Sequence, residues 1–325
     1  MAHALRLAAR GLGNVWPNPA VGCVLIRGGR VVGRGWTQPG GRPHAEVMAL
    51  AQAGQGARGA TAYVTLEPCA HHGRTPPCAE ALVAAGVARV VTALTDPDSR
   101  VAGRGHAMLR DAGIEVGEGV LAAPARQLQA GFFSRITRGR PWLTLKLAGS
   151  FDGRIATRAG ESRWITGPAA RAHVHALRLR HDAVMVGGGT ASADRPALNV
   201  RGFGPVRQPV RIVVSSRALP DLPREDHAHG PLWQVSGALP GVMSGLAERG
   251  LTRIFCEGGG HLASGLLAAG LVDELVGYTA GLILGGDGLA AVAPMGLEHL
   301  RDAPGFDLVE TRPIGADLFH RWRKR

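Results

Sequence analysis

The chain has 325 residues, 45% of them hydrophobic, with four cysteines and a formal net charge of +12. That length exceeds one ordinary compact domain and suits two, and no apolar run reaches the roughly 18 residues of a membrane-spanning helix. The basic surplus is mostly arginine spread along the chain and aromatics are only 5%, so the single basic, aromatic-rich stripe of a nucleic-acid footprint is missing and phosphorylated metabolites are the better partners.

Residues 2–12 carry Leu5, Ala8, Ala9 and Leu12 at helical spacing, without the sustained apolar core of a secretory signal. Runs 21–26 and 31–35 read as strands joined by the hairpin turn Arg27-Gly28-Gly29-Arg30, with Cys23 buried in the first. A helix over 44–53 puts His44 and Glu46 in its first turn. Strand 61–66 runs into Pro68-Cys69, and a helix over 78–85 starts at Cys78 and stops at Gly86. Strand 87–94, helix 106–112 and a short strand over 114–116 follow. The pattern predicts an α/β mixed sheet with flanking helices, whose N-terminal dipoles favour thiolate and carboxylate at the ends that meet.

A helical segment over 122–139 closes on Arg138-Gly139-Arg140-Pro141 and divides the chain into domains 1–140 and 141–325. Strand 142–148 opens the second, and a helix is expected over 168–181. Val184-Met185-Val186 then runs into Gly187-Gly188-Gly189-Thr190. Ile254-Phe255-Cys256 runs into Glu257-Gly258-Gly259-Gly260 and a helical segment over 262–269. A strand, a glycine turn and a helix N-terminus together make an anion site. Neither run has the G-x-G-x-x-G spacing, and each alone is equally a plain tight turn. Two of them in one α/β domain favour a nucleotide cofactor.

The chemistry concentrates in His44-Ala45-Glu46, Pro68-Cys69 and Cys78. One imidazole, two thiols and an uncommitted carboxylate are what a zinc deaminase needs: three ligands leave a fourth position for water, and the carboxylate moves protons. Two of four cysteines in a metal pattern also suggest a reducing cytoplasm rather than a disulfide framework. Eight residues, Ala70 to Pro77, separate the thiols where two are usual, so the chain must make an excursion, which Pro76-Pro77 make plausible by starting the next helix. The excursion carries His71, His72, Arg74 and Thr75, readable as a substrate-facing loop, as a solvated loop, or as the source of a replacement ligand.

The stretch from Thr65 through Glu67-Pro68-Cys69-Ala70-His71-His72-Gly73-Arg74-Thr75-Pro76-Pro77-Cys78 closely resembles the deaminase half of the bifunctional riboflavin-biosynthesis deaminase/reductases. The long inter-cysteine loop marks that family rather than cytidine or tRNA-adenosine deaminases. Pro17-Asn18-Pro19-Ala20-Val21-Gly22, Asp96-Pro97 and Val101-Ala102-Gly103-Arg104-Gly105 agree with it. In the second half so do Leu145-Lys146-Leu147-Ala148, Ser150-Phe151-Asp152-Gly153-Arg154, Trp164-Ile165-Thr166-Gly167 and Asp194-Arg195-Pro196-Ala197-Leu198. The chain departs from the family at Thr37, where a His usually follows Gly35-Trp36, at Val15-Trp16, where a Thr is common, and at Ser215, where an acidic residue is common.

The resemblance implies a cytidine-deaminase-like mixed sheet followed by a dihydrofolate-reductase-like domain. It implies zinc on His44, Cys69 and Cys78, Glu46 as proton carrier, and Asn18 against the pyrimidine edge. In the second domain Ala148, Trp164, Thr190, Asp194, Ser216 and the segment Gly259, Gly260, His261, Leu262, Ala263, Ser264 and Gly265 would line NADPH. Ser162, Arg178, Leu198, Arg201 and Glu257 would contact the phosphosugar, the arginines because a guanidinium fork matches phosphate. A cytoplasmic homo-oligomer with no nucleic-acid or membrane partner is expected. A nucleic-acid deaminase would need the C-x-x-C pair and basic stripe that are absent. A purely structural zinc module would show four ligands and no Glu46. Loss of one activity stays open through Thr37.

Overall fold

In the computed structural model residues 1–72, 76–99 and 101–325 are described; Arg74 and Thr75, expected in a polar loop, lie outside them. Contacts divide the chain into Met1–Arg140 and Pro141–Arg325.

The first unit comprises α1 (Ala2–Ala8), β1 (Gly22–Arg27), β2 (Arg30–Trp36), α2 (Ala45–Ala53), β3 (Thr61–Val64), α3 (Cys78–Ala84), β4 (Arg89–Thr92), α4 (Arg104–Asp111), β5 (Glu115–Gly117), α5 (Ala122–Leu128) and α6 (Ala130–Arg138). Its sheet runs β2-β1-β3-β4-β5. The hairpin makes β1 and β2 antiparallel, whereas β3, β4 and β5 are parallel and use α3 and α4 as crossovers. Cys23, Leu25, Val64 and Val90 meet Ala45, Ala49, Leu82 and Leu109 in one core. Two glycines decide how close α2 lies to β2. A Cβ at Gly35 would fall 2.1 Å from the Ala45 carbonyl oxygen, and one at Gly33 2.2 Å from that of Ala49.

Three of the boundaries that differ from the sequence pattern have a visible physical cause. The first helix stops at Ala8 and tightens into a 3₁₀ turn over Ala9–Gly11. The 122–139 segment breaks at Gln129, a buried residue whose side chain donates to the Ala20 carbonyl at 2.7 Å. α4 starts at Arg104 rather than 106, because a distant carboxylate, Glu67, accepts the N–H groups of Gly105 and His106.

The second unit comprises β6 (Trp142–Ser150), β7 (Arg154–Ala156), α7 (Pro168–Leu179), β8 (Ala183–Gly187), α8 (Gly188–Asp194), β9 (Val210–Val214), β10 (Leu232–Val235), α9 (Leu239–Glu248), β11 (Arg253–Cys256), α10 (Gly260–Ala268), β12 (Glu274–Ala280), β13 (Leu289–Ala290), β14 (Phe306–Ile314) and β15 (Asp317–Lys324). The eight-stranded order is β10-β9-β8-β11-β6-β12-β15-β14. The strands from β10 to β12 are parallel, and β15 and β14 add an antiparallel edge. After β6 the chain steps out through β8, β9 and β10, then returns to insert β11 between β8 and β6. Such a reversal opens a crevice at the carboxyl ends of the strands.

His181, just past α7, is 6% exposed. Its Nδ1–H donates to the Leu177 carbonyl at 2.7 Å, and Nε2 lies 3.2 Å from the Thr144 hydroxyl, which also reaches Glu274 Oε1 at 3.2 Å. Burial pushes His181 down to about 3. The unfolded chain therefore protonates here first as pH falls. This contribution is whole above about pH 6.5 and declines below it by up to ~1.4 kcal/mol per pH unit. Urea unfolding at pH values from roughly 7.5 to 5.5 should show that slope, and His181→Gln should flatten it. An equal slope in the variant would assign the acid sensitivity to other groups.

Candidate active sites

His44 caps α2, Cys78 is the first residue of α3, and Cys69 sits in the loop after β3. Their ligand atoms lie within 4.8 Å of one another. His44 Nδ1 is 3.3 Å from Cys78 Sγ and 3.7 Å from Cys69 Sγ. Bonds of 2.0–2.3 Å to a tetrahedral ion require edges of about 3.6 Å, so this soft donor set fits zinc. The Cys78 thiol and His44 hydrogen-bond to Cys69 and pull it down to about 4. The same sulfur, with burial, holds Cys78 above the ordinary thiol range.

Glu46 is 3% exposed and outside the ligand group. Burial, then the Cys69 charge, push its carboxyl up to about 7. The Asn18 carboxamide lies over Gly41 in the segment leading to His44. His71 and His72 are exposed, and His72 Nε2 is 3.5 Å from Glu80; neither joins the ligand group.

Sequence reasoning missed Glu67, two residues before Cys69. Its buried carboxylate accepts four backbone N–H groups, from Asp96 and Gly103 at 3.0 Å, Gly105 at 2.8 Å and His106 at 3.3 Å. The available signal was a lone charge closing an apolar strand run.

In the second unit the glycine-rich β8–α8 junction and the glycine turn after β11 touch. The Gly187 N–H donates to the Gly258 carbonyl at 3.1 Å, and Thr190 Oγ1 to the same oxygen at 3.5 Å. A Cβ on Gly259 would meet Thr190 Oγ1 at 2.6 Å, and one on Gly188 would meet Ser215 Oγ at 2.7 Å. Beside them a cavity of 510 Å³ is lined by Gly188, Gly189, Ser192, Ser216 and Arg217 among others. Open backbone, hydroxyls and a guanidinium at strand carboxyl ends suit the phosphates of a nucleotide. Gly259 to Gly265 form the turn and first part of α10, and Ala148 lies on β6. The Asp194 carbonyl accepts from Arg163 at 3.4 Å. Trp164 is 66% exposed, with the Arg171 guanidinium 4.4 Å from its ring centre.

Glu257, just after β11, pairs with Arg178 Nε at 2.5 Å, both side chains being 11% exposed. Lys146 Nζ lies 3.9 Å away. Burial alone would raise Glu257; the two cations outweigh it and hold the carboxyl below its usual range. Arg178 also donates to the Asn199 carbonyl at 2.7 Å, so its fork is largely engaged within the protein. Leu198 adopts φ +51 beside Asn199, and the Arg201 N–H donates to His175 Nδ1 at 3.3 Å. Among the described residues no hydrogen bond ties half-buried Ser162 to this group. Lys146 and Asn199 were not singled out as site residues; Lys146 carried the same signal as Glu67, a charge inside an apolar strand.

Comparison with known proteins gives a consistent result. Residues 1–94 match the cytidine and deoxycytidylate deaminase zinc-binding region and residues 141–319 the RibD C-terminal domain. The riboflavin biosynthesis protein RibD of Escherichia coli is 44% identical, covering 98% of this chain and 96% of that protein. That of Haemophilus influenzae is 42% identical, covering 98% and 95%. The solved structure of Acinetobacter baumannii RibD has a TM-score of 0.90 at 37% identity, covering 100% of this chain and 97% of that one. Matched over nearly its whole length at such identity, and by a family model in each half, the chain belongs to the RibD family, the bifunctional deaminase/reductases of riboflavin biosynthesis.

Proposed function

We propose that Met1–Arg140 deaminates 2,5-diamino-6-(5-phosphoribosylamino)pyrimidin-4(3H)-one and that Pro141–Arg325 then reduces the ribosyl chain to ribityl with NADPH. The observation that carries the reading is the convergence of His44, Cys69 and Cys78 with Glu46 buried beside them and left uncommitted. Zinc, held by His44 Nδ1 and the two sulfurs, supplies a Lewis acid that activates water near neutrality. Glu46 holds a proton at its carboxyl and gives it to the exocyclic amine, so that ammonia rather than an amide anion leaves. Asn18 orients the pyrimidine edge.

NADPH supplies the hydride, and Ala148, Trp164, Thr190, Asp194, Ser216 and the 259–265 segment are assigned to hold it at the strand ends. Glu257, kept charged by Arg178 and Lys146, accepts hydrogen bonds from sugar hydroxyls. Because Arg178 is bonded to Glu257 and Asn199, its part is to fix that carboxylate. Exposed Arg201 is the better phosphate fork, with Ser162 and Leu198 lining the sugar. Among the described residues no helix is long and apolar enough to cross a membrane. The four free cysteines accord with a reducing cytoplasm, where we place the enzyme as a homo-oligomer without nucleic acid.

The test is product mass after incubation of the full chain with the diaminopyrimidine phosphate. Without NADPH the product should have lost its amine as ammonia; with NADPH it should also have gained a hydride and a proton. Unchanged substrate in both arms would refute the reading.

A further inference from the structure

Thr37 occupies the position where the resemblance leads one to expect histidine, yet the side chain is 2% exposed. Its hydroxyl is used twice, accepting from the Val21 N–H at 2.9 Å and donating to the Pro19 carbonyl at 3.1 Å. Its own N–H donates to the Val21 carbonyl at 2.9 Å. The residue extends the β1–β2 ladder one step beyond the Gly22–Trp36 pair, with a side-chain oxygen taking a bond that a backbone carbonyl would ordinarily accept. The hydroxyl proton then draws Pro19 inward.

Asn18 is therefore bounded on both sides. Its N–H donates to the Val15 carbonyl at 3.0 Å, and Pro19 after it is tied to Thr37. Its carboxamide lies against Gly41, where a Cβ would come 1.9 Å from Nδ2 and where φ is +85. Next to Gly41, the Gly40 N–H donates to the Asn14 carbonyl at 2.9 Å. Gly41 belongs to the short segment that ends at His44, so this arrangement holds the Asn18 amide against the backbone that leads into His44. We infer that Thr37 is a positioning residue: its hydroxyl clamps the 19–21 turn, the clamp and the Gly41 cradle fix the Asn18 carboxamide for the pyrimidine, and Thr37 itself offers the substrate nothing. A neutral imidazole has its donor and acceptor on opposite sides of the ring, so it could not bond Pro19 and Val21 through one atom. The inference rests on the assignment of Asn18 to the pyrimidine edge.

The test uses the full-length, zinc-loaded protein and ammonia release from the diaminopyrimidine phosphate without NADPH. Thr37→Val keeps the side-chain shape and removes both bonds. It should raise KM about tenfold with kcat within about twofold, as expected for lost ground-state positioning. Thr37→Ser should restore KM. In an Asn18→Ala background Thr37→Val should add nothing, because the two act through one contact. A raised KM in Asn18→Ala with an unchanged KM in Thr37→Val, or full additivity of the two, would overturn the clamp while leaving the Asn18 assignment standing. An unchanged KM in Asn18→Ala would overturn both. Should Thr37→Val fail to fold, Gly41→Ala decides, since it displaces the Asn18 amide and leaves the Thr37 bonds in place; an unchanged KM there overturns the proposal.

Discussion

Glu46→Gln removes ammonia release by roughly a hundred- to ten-thousandfold, the usual range for a lost general acid–base, while the protein keeps its zinc. The side chain is 3% exposed in the first turn of α2, so the isosteric amide fits without opening a cavity. None of the ligand atoms changes, since these come from His44, Cys69 and Cys78. What is lost is the ability to hold and release a proton at a carboxyl that burial has pushed up to about 7. Metal content per chain and ammonia release, measured on one preparation, check both halves of the statement. Reduction of the already deaminated pyrimidine should proceed at the parental rate. Parental ammonia release in the variant would remove Glu46 from the mechanism.

Glu67→Ala is expected to be the most destabilising single change in the first unit. Four N–H groups, those of Gly105 and His106 buried and those of Asp96 and Gly103 partly so, would lose their common acceptor. At ~1 kcal/mol or more for each unmet buried donor, the two buried ones alone cost at least ~2 kcal/mol, a large fraction of the 5–15 kcal/mol that holds a typical domain. The anchored backbone runs from Asp96 into the first turn of α4, and a Cβ on Gly105 would lie 2.0 Å from the Pro68 carbonyl oxygen. Freeing that backbone therefore also loosens the loop that presents Cys69. Glu67→Gln should be milder but still harmful, since its amide turns a donor toward donors. Thermal unfolding and the rate of zinc loss to a chelator should both shift. A Glu67→Ala protein within about 1 kcal/mol of the parent would show that water takes over these bonds.

The ligand set was legible in the sequence because each ligand sits at a local landmark, at the start of a helix or just after a strand. The helix and strand periods of the first unit were legible for the same reason. Glu67 was not, because its partners lie 29 to 39 residues away and nothing in the local pattern names them. Nor did the local pattern mark Arg211, a charge inside the β-branched run of β9. In the fold it is 1% exposed and donates to the Gly230 and Pro223 carbonyls, each at 2.8 Å. The glycine run after β11 was visible as a turn, whereas the one after β8 passes directly from the strand into α8 at Gly188. That they touch follows only from the insertion of β11 between β8 and β6. The Arg178–Glu257 pair likewise follows only from the packing of α7 near the end of β11.

The tight seat of α2 on Gly33 and Gly35 has a bearing on how such an enzyme can change over generations. The imidazole assigned to the metal, His44, and the carboxylate assigned to proton transfer, Glu46, stand at the head of one helix, and that helix has almost no clearance beneath it. Any side chain introduced at either glycine would shift both groups together. Drift at these two glycines would therefore act at once on the imidazole assigned to the metal and the carboxylate assigned to proton transfer, whereas a change at Glu46 itself touches only the second.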